Sequence, residues 1–113
     1  MNDRADKRRG EYRANMESTL DTIRAQSPGT EFIVVTSMLN TPKQGDQLEP
    51  ILHLRDEALQ ISRAGMALVD MTSPHQTIIE HKNYLDTSRN GVNHPNDFLQ
   101  RVYAQRVVEV LSP

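Results

Sequence analysis

Two short apolar runs, Phe32-Ile-Val-Val35 and Met66-Ala-Leu-Val69, constrain the fold of this chain more than any other feature. Neither shows the polar alternation of a strand with one wet face. Short continuous runs of this kind suit parallel strands covered on both faces. With their flanks, the strands are read as Glu31–Thr36 and Met66–Asp70. A helix is expected between them, from about Glu49 to Arg63. Ile51, Leu54, Ala58 and Ile61 form its buried stripe, with Leu52 and Leu59 beside it. Pro50 suits the first helical turn, where its missing N–H has no partner to lose, and Gly65 ends the segment.

The flanking segments continue the alternation. Tyr12, Met16, Leu20 and Ile23 mark one face of a helix from Glu11 to about Gln26, stopped by Pro28-Gly29. Ser73 to about Lys82 reads as a short helix with Ser73 as cap and Pro74 in its first position. The last helix runs from about Asn96 to Leu111. Asn96 caps it, Asp97 favours its positive end, and Phe98, Val102, Tyr103, Val107 and Val110 form its apolar face. Residues 1–10 read as a solvated loop of mixed charge, residues 37–48 as a polar loop and residues 83–95 as a loop rich in Asn, Asp, Ser and Gly. No internal repeat or low-complexity segment appears.

Helices alternating with strands indicate a right-handed parallel α/β layer. Two short strands, however, cannot cover the apolar faces of all these helices. Composition points the same way. Only 36% of the 113 residues are hydrophobic, against roughly 45–50% with Gly counted in a self-contained domain. The expected fold is therefore a three-layer α/β/α domain with a parallel sheet, of which residues 1–113 form the carboxyl-terminal part. Alone, such a chain should be molten or self-associating, because its apolar stripes lack a full sheet.

The absence of Cys excludes a disulfide scaffold, a Cys zinc site and a Cys nucleophile. No apolar run approaches the about 20 residues of a membrane span. A net charge of −2 argues against a dedicated nucleic-acid binder. His75 and His81 lie six apart, which does not align them on one helix face as metal ligands, and with His53 they read as surface residues.

The segment with the most chemical content is Asn90-Gly-Val-Asn-His-Pro-Asn-Asp97. His94 stands at the mouth of a helix after an irregular loop, and loops at the carboxyl ends of parallel strands are where open α/β sheets build sites. An imidazole there can serve as a general base. Spacing alone favours a loop His bonded to a backbone carbonyl.

Val92-Asn-His-Pro-Asn-Asp97, followed by Phe98 and Val102-Tyr-Ala-Gln105, resembles the last block of the SGNH hydrolases, the GDSL-type esterases and lipases. Met1-Asn2-Asp3 is similar to the end of that family's Gly-x-Asn-Asp motif. The resemblance implies a flavodoxin-like three-layer fold and ester hydrolysis by acyl transfer. It gives His94 the role of base towards a nucleophilic Ser, and Asn2 that of an oxyanion donor. It implies no cofactor. The expected partners are a small-molecule or carbohydrate acyl ester, with acetyl or short acyl groups, and the missing amino-terminal half of the domain or a second copy. Two departures stand out. The Gly-Asp-Ser block that carries the nucleophile is absent, and none of the chain's serines is expected on the strand-to-helix turn that the chemistry would need. The family's acid, three residues before the His, is replaced by Gly91, leaving Asp86 or a backbone carbonyl as alternatives. A non-catalytic module that packs on another chain is the second reading.

Overall fold

The computed structural model describes residues 10–41, 48–61 and 63–112, with Leu48 and Glu49 described in backbone alone. Asn2 therefore lies outside the described residues. Among those described, the chain is a small α/β protein of four helices and a two-stranded parallel sheet. The order is α1 (Glu11–Gln26), β1 (Phe32–Val35), α2 (Leu48–Leu59), β2 (Met66–Val69), α3 (Thr72–His81), a single 3-10 turn (Tyr84–Asp86) and α4 (Asp97–Leu111).

The strands pair in register, Phe32 with Met66 through Val35 with Val69. Side chains alternate across a strand. Phe32, Val34, Met66 and Leu68 therefore share one face, and Ile33, Val35, Ala67 and Val69 the other. Helix α1 reaches the first face, where the Arg24 guanidinium lies 5.0 Å from the Phe32 ring centroid. Helix α4 covers the second face over β2. Val69 joins Met38, Met71, Tyr84 and Leu99 in the main core cluster, with Val102, Tyr103 and Val107 packed against it. Over β1 that face is bare: Ile33 is 40% exposed and Val35 39%. The expectation that both strands are covered on both faces fails at these two residues.

The start of α1 is held by a side chain from elsewhere in the chain. Helix α1 follows Gly10, which takes a left-handed φ of 83° and offers no cap of its own. The unpaired N–H groups of this end are met across 47 and 44 residues of sequence by Glu57, which accepts from Gly10 at 2.7 Å and Arg13 at 2.8 Å. A carboxylate here also sits at the positive end of the helix. Burial works to raise the Glu57 carboxyl, but these two N–H groups and the neighbouring His53 outweigh it and hold it below its ordinary range. Helix α2 ends at Leu59, before the expected Arg63. The Gln60 and Ile61 N–H groups turn to carbonyls three residues back, tightening the last turn and bringing Ile61 into the core.

The cap of α3 also differs from expectation. Asp70, at the end of β2, accepts from the Thr72 and Ser73 N–H groups at 3.0 and 3.2 Å and from the Ser73 hydroxyl at 2.7 Å. It also takes Arg55 Nε at 2.8 Å and the Thr36 hydroxyl at 3.1 Å. Asp70 thus joins the ends of both strands to α2 and α3. Burial opposes its charge, yet the Ser73 and Arg55 donors prevail and lower its pKa. Leu99 is fully buried on α4, whereas Phe98 and Val110 of the expected apolar face are 41% and 42% exposed.

His75 is fully buried rather than at the surface. Its Nδ1 accepts the Leu39 N–H at 2.9 Å, so the neutral ring carries its proton on Nε2, 3.0 Å from Thr87 Oγ1. Burial lowers its pKa to about 4, against about 6.5 in an unfolded chain. Between these values the unfolded state binds more protons, so stability is complete above pH 6.5 and falls as the pH drops towards 4. At 1.36 kcal/mol per unit, the loss is on the order of 3 kcal/mol. Glu57 and Asp70, both lowered, add further loss only at pH values below the ordinary carboxylate range. Urea unfolding should therefore show a lower midpoint at pH 5 than at pH 7, and His75→Gln should flatten that difference.

Candidate functional site

The loop between the 3-10 turn and α4 is fixed mainly by one side-chain oxygen. Asn90 Oδ1 accepts the backbone N–H groups of Val92, Asn93 and His94, each at 3.0 Å. Asn is suited to this role because its short side chain can bond its own backbone a few residues on. The chain turns through Gly91 at φ 69°. A Cβ there would lie 3.2 Å from Leu85 Cδ2. Gly91 therefore answers both a left-handed backbone and a close neighbour. The loop closes where Arg89 N–H meets the His94 carbonyl at 2.9 Å and Ser88 bridges to Pro95. Asn96 then caps α4 as expected, accepting the Leu99 N–H at 3.1 Å, while its amide donates to the Asp86 carbonyl at 2.7 Å.

This loop is tied to the carboxyl ends of the strands. Thr41 N–H donates to the Val92 carbonyl at 3.0 Å. The Tyr84 hydroxyl stands between the carbonyls of Leu39, at 3.0 Å, and Val92, at 2.7 Å. His75 joins Leu39 to Thr87, whose hydroxyl donates to the Tyr84 carbonyl at 2.7 Å. Sequence reasoning missed His75, Tyr84 and Thr87. The signal was slight: only a polar residue on the inward side of α3 hinted at a buried network.

His94 is exposed on this anchored loop. Its Nδ1 faces the Asn90 side-chain amide nitrogen at 2.7 Å. Asp86 is exposed, and its described contacts run through its backbone. An open cleft of about 490 Å³ lies beside the loop, lined by Arg89, Asn96, Asp97 and Phe98. Lys82 Nζ stands 5.4 Å from the centre of the Phe98 ring.

The serines divide clearly. Ser73 follows β2 as expected, though in the first turn of α3 rather than at its cap. Its hydroxyl, however, donates to Asp70 and belongs to the helix cap. Ser88 is buried within the His94 loop, its hydroxyl within reach of Asn90 Oδ1 and the His94 carbonyl. Ser62 is outside the described residues. Among the described residues no group of three or more His, Asp or Glu could hold a metal, and no helix is long and apolar enough to cross a membrane.

No family model, no curated protein and no solved structure matches the chain.

The Gly91 geometry bears directly on the absent acid. Gly91→Asp is expected to destabilise the protein by about 1–2 kcal/mol through the left-handed backbone, and to speed amide hydrogen exchange at Val92, Asn93 and His94. Unchanged stability and exchange would show that the loop tolerates an acid at this position.

Proposed function

We propose that these residues form the base-bearing, carboxyl-terminal part of a serine ester hydrolase of SGNH type, acting on acetyl or short acyl esters. The observation that carries the reading is the placement of His94. It is exposed on a loop bonded to the segment leaving β1, at the carboxyl end of a parallel pair, the position where open α/β sheets take substrates. The resemblance around Val92–Asp97 assigns that His the base. A Ser supplied by polypeptide outside these residues attacks the acyl carbonyl, and His94 accepts its proton. The Asn2 amide then donates to the developing oxyanion. The proton on His94 passes to the leaving alcohol, and water repeats the sequence to free the acid.

The bare side of β1 supports the need for that further polypeptide. Phe32 N–H donates to Gly65 and Thr36 N–H to Val69. The backbone groups of Phe32 and Val34 therefore point towards β2, while those of Ile33 and Val35 point away, beside two exposed apolar side chains. A further parallel strand and its helix would cover both. The same face supports the second reading, a non-catalytic module that packs on another chain.

The two readings differ in what precedes Met1 and in turnover. Under the hydrolase reading, genomic sequence read in frame upstream contains a Gly-Asp-Ser block within about 60–100 residues, the scale of half a domain. The 113-residue chain alone should not hydrolyse p-nitrophenyl acetate. The longer polypeptide should, with His94→Ala lowering its rate by about 10²–10⁴. A stop codon directly upstream, or a longer polypeptide indifferent to His94→Ala, would favour the packing module.

A further inference from the structure

The contact between Asn90 and His94 decides which ring nitrogen holds the proton. Asn90 Oδ1 is surrounded by donors: three backbone N–H groups at 3.0 Å and the Ser88 hydroxyl at 3.2 Å. Exchanging the amide oxygen and nitrogen would set an NH2 group against three N–H groups. The oxygen is therefore fixed by the backbone, and the nitrogen has to point the other way. There it donates to Asn93 Oδ1 at 3.1 Å and faces His94 Nδ1 at 2.7 Å. An amide NH2 can only donate. Nδ1 must accept, so the neutral ring carries its hydrogen on Nε2.

We propose that Asn90 is a positioning residue that holds His94 as an Nε2–H donor, with no basic lone pair at its outer nitrogen. This rests on the hydrolase reading and adds a control to that site. A base acting through Nε2 needs its hydrogen on Nδ1, where an acid or carbonyl accepts it. Reaching that state takes one proton from Nε2 to water and one from water to Nδ1, with no net change in charge. The Asn90 amide must leave Nδ1 at the same time. Assembly of the complete site therefore has to break the Asn90–His94 bond before His94 can serve as base. In the Ser-His-Asp arrangement, an Asn in the orienting position lowers the rate by about 10⁴ through the wrong tautomer.

The test reads the ring directly in the 113-residue chain, without any ester. Nitrogen-15 NMR at about pH 8, where an ordinary imidazole is neutral, should show His94 with a protonated Nε2 and an accepting Nδ1. A scalar coupling should cross the hydrogen bond from Asn90 Nδ2. In Asn90→Asp the carboxylate keeps an oxygen for the loop N–H groups and offers the other to the ring, so the hydrogen should move to Nδ1. Asn90→Ala should abolish the coupling and leave the ring in rapid exchange. A protonated Nδ1 in the unaltered chain, or the absence of coupling together with an unchanged ring in Asn90→Asp, would overturn the proposal. If Asn90→Asp does not fold, the coupling and ring shifts of the unaltered chain decide alone. The hydrolase reading fails separately, through the absence of turnover by the longer polypeptide.

Discussion

Parallel pairing of two four-residue strands is the constraint on which the rest of the structure depends. Parallel strands cannot be joined by a tight turn, so α2 must span the distance from the end of β1 to the start of β2. It brings Glu57 to the start of α1 and Arg55 to Asp70. Strands this short contribute few backbone bonds. Their ends are consolidated by the Thr36–Asp70 contact, by Thr36 Oγ1 accepting Met71 N–H at 2.8 Å, and by the charge of Arg55. The carboxyl end of the sheet thus becomes its most cross-linked part, and the His94 loop is fastened there.

Much of this order was legible from residue spacing. Helix α1 occupies the expected residues, and α3, α4 and both strands differ from expectation by one or two positions at their ends. Patterning succeeds for these elements because one apolar face at helical or strand spacing leaves little choice. It was less informative about which face is buried most deeply. Leu99 sits one residue beyond Phe98, and the register of α4 against β2 places Leu99 in the core while Phe98 lies beneath Lys82 at the surface. That choice depends on tertiary packing. So does the end of α2, where drawing Ile61 inward breaks the helix before its propensity would.

The candidate site shows the same division. His94 and the Asn96 cap could be placed from sequence because both depend on local chain direction. Asn90 could not, because its role arises from three backbone N–H groups that converge only once the turn at Gly91 has formed. His75 was missed for a related reason. A histidine on a short helix carries no mark of the Leu39 N–H it will receive from 36 residues away. Glu57 is the third instance, a cap supplied from another helix rather than from the residues preceding α1. For His75 and Glu57 the partner is distant in sequence and local pattern holds no trace of it; for Asn90 the partners are two to four residues away but converge only in the folded turn.

Among the described residues no strand pairs with the outer side of β1, and this has a directional consequence. A second copy related by a two-fold axis meets this edge with its own β1 running antiparallel, so pairs formed between identical chains have the opposite polarity from the β1–β2 ladder. A strand that extends the existing sheet must run the same way as β1. Antiparallel and parallel ladders space their hydrogen bonds differently, and the exposed Ile33 and Val35 side chains would meet different neighbours in each. Strand polarity therefore distinguishes self-association from completion of the sheet, and a short edge of two outward-pointing residues is enough to record which has occurred.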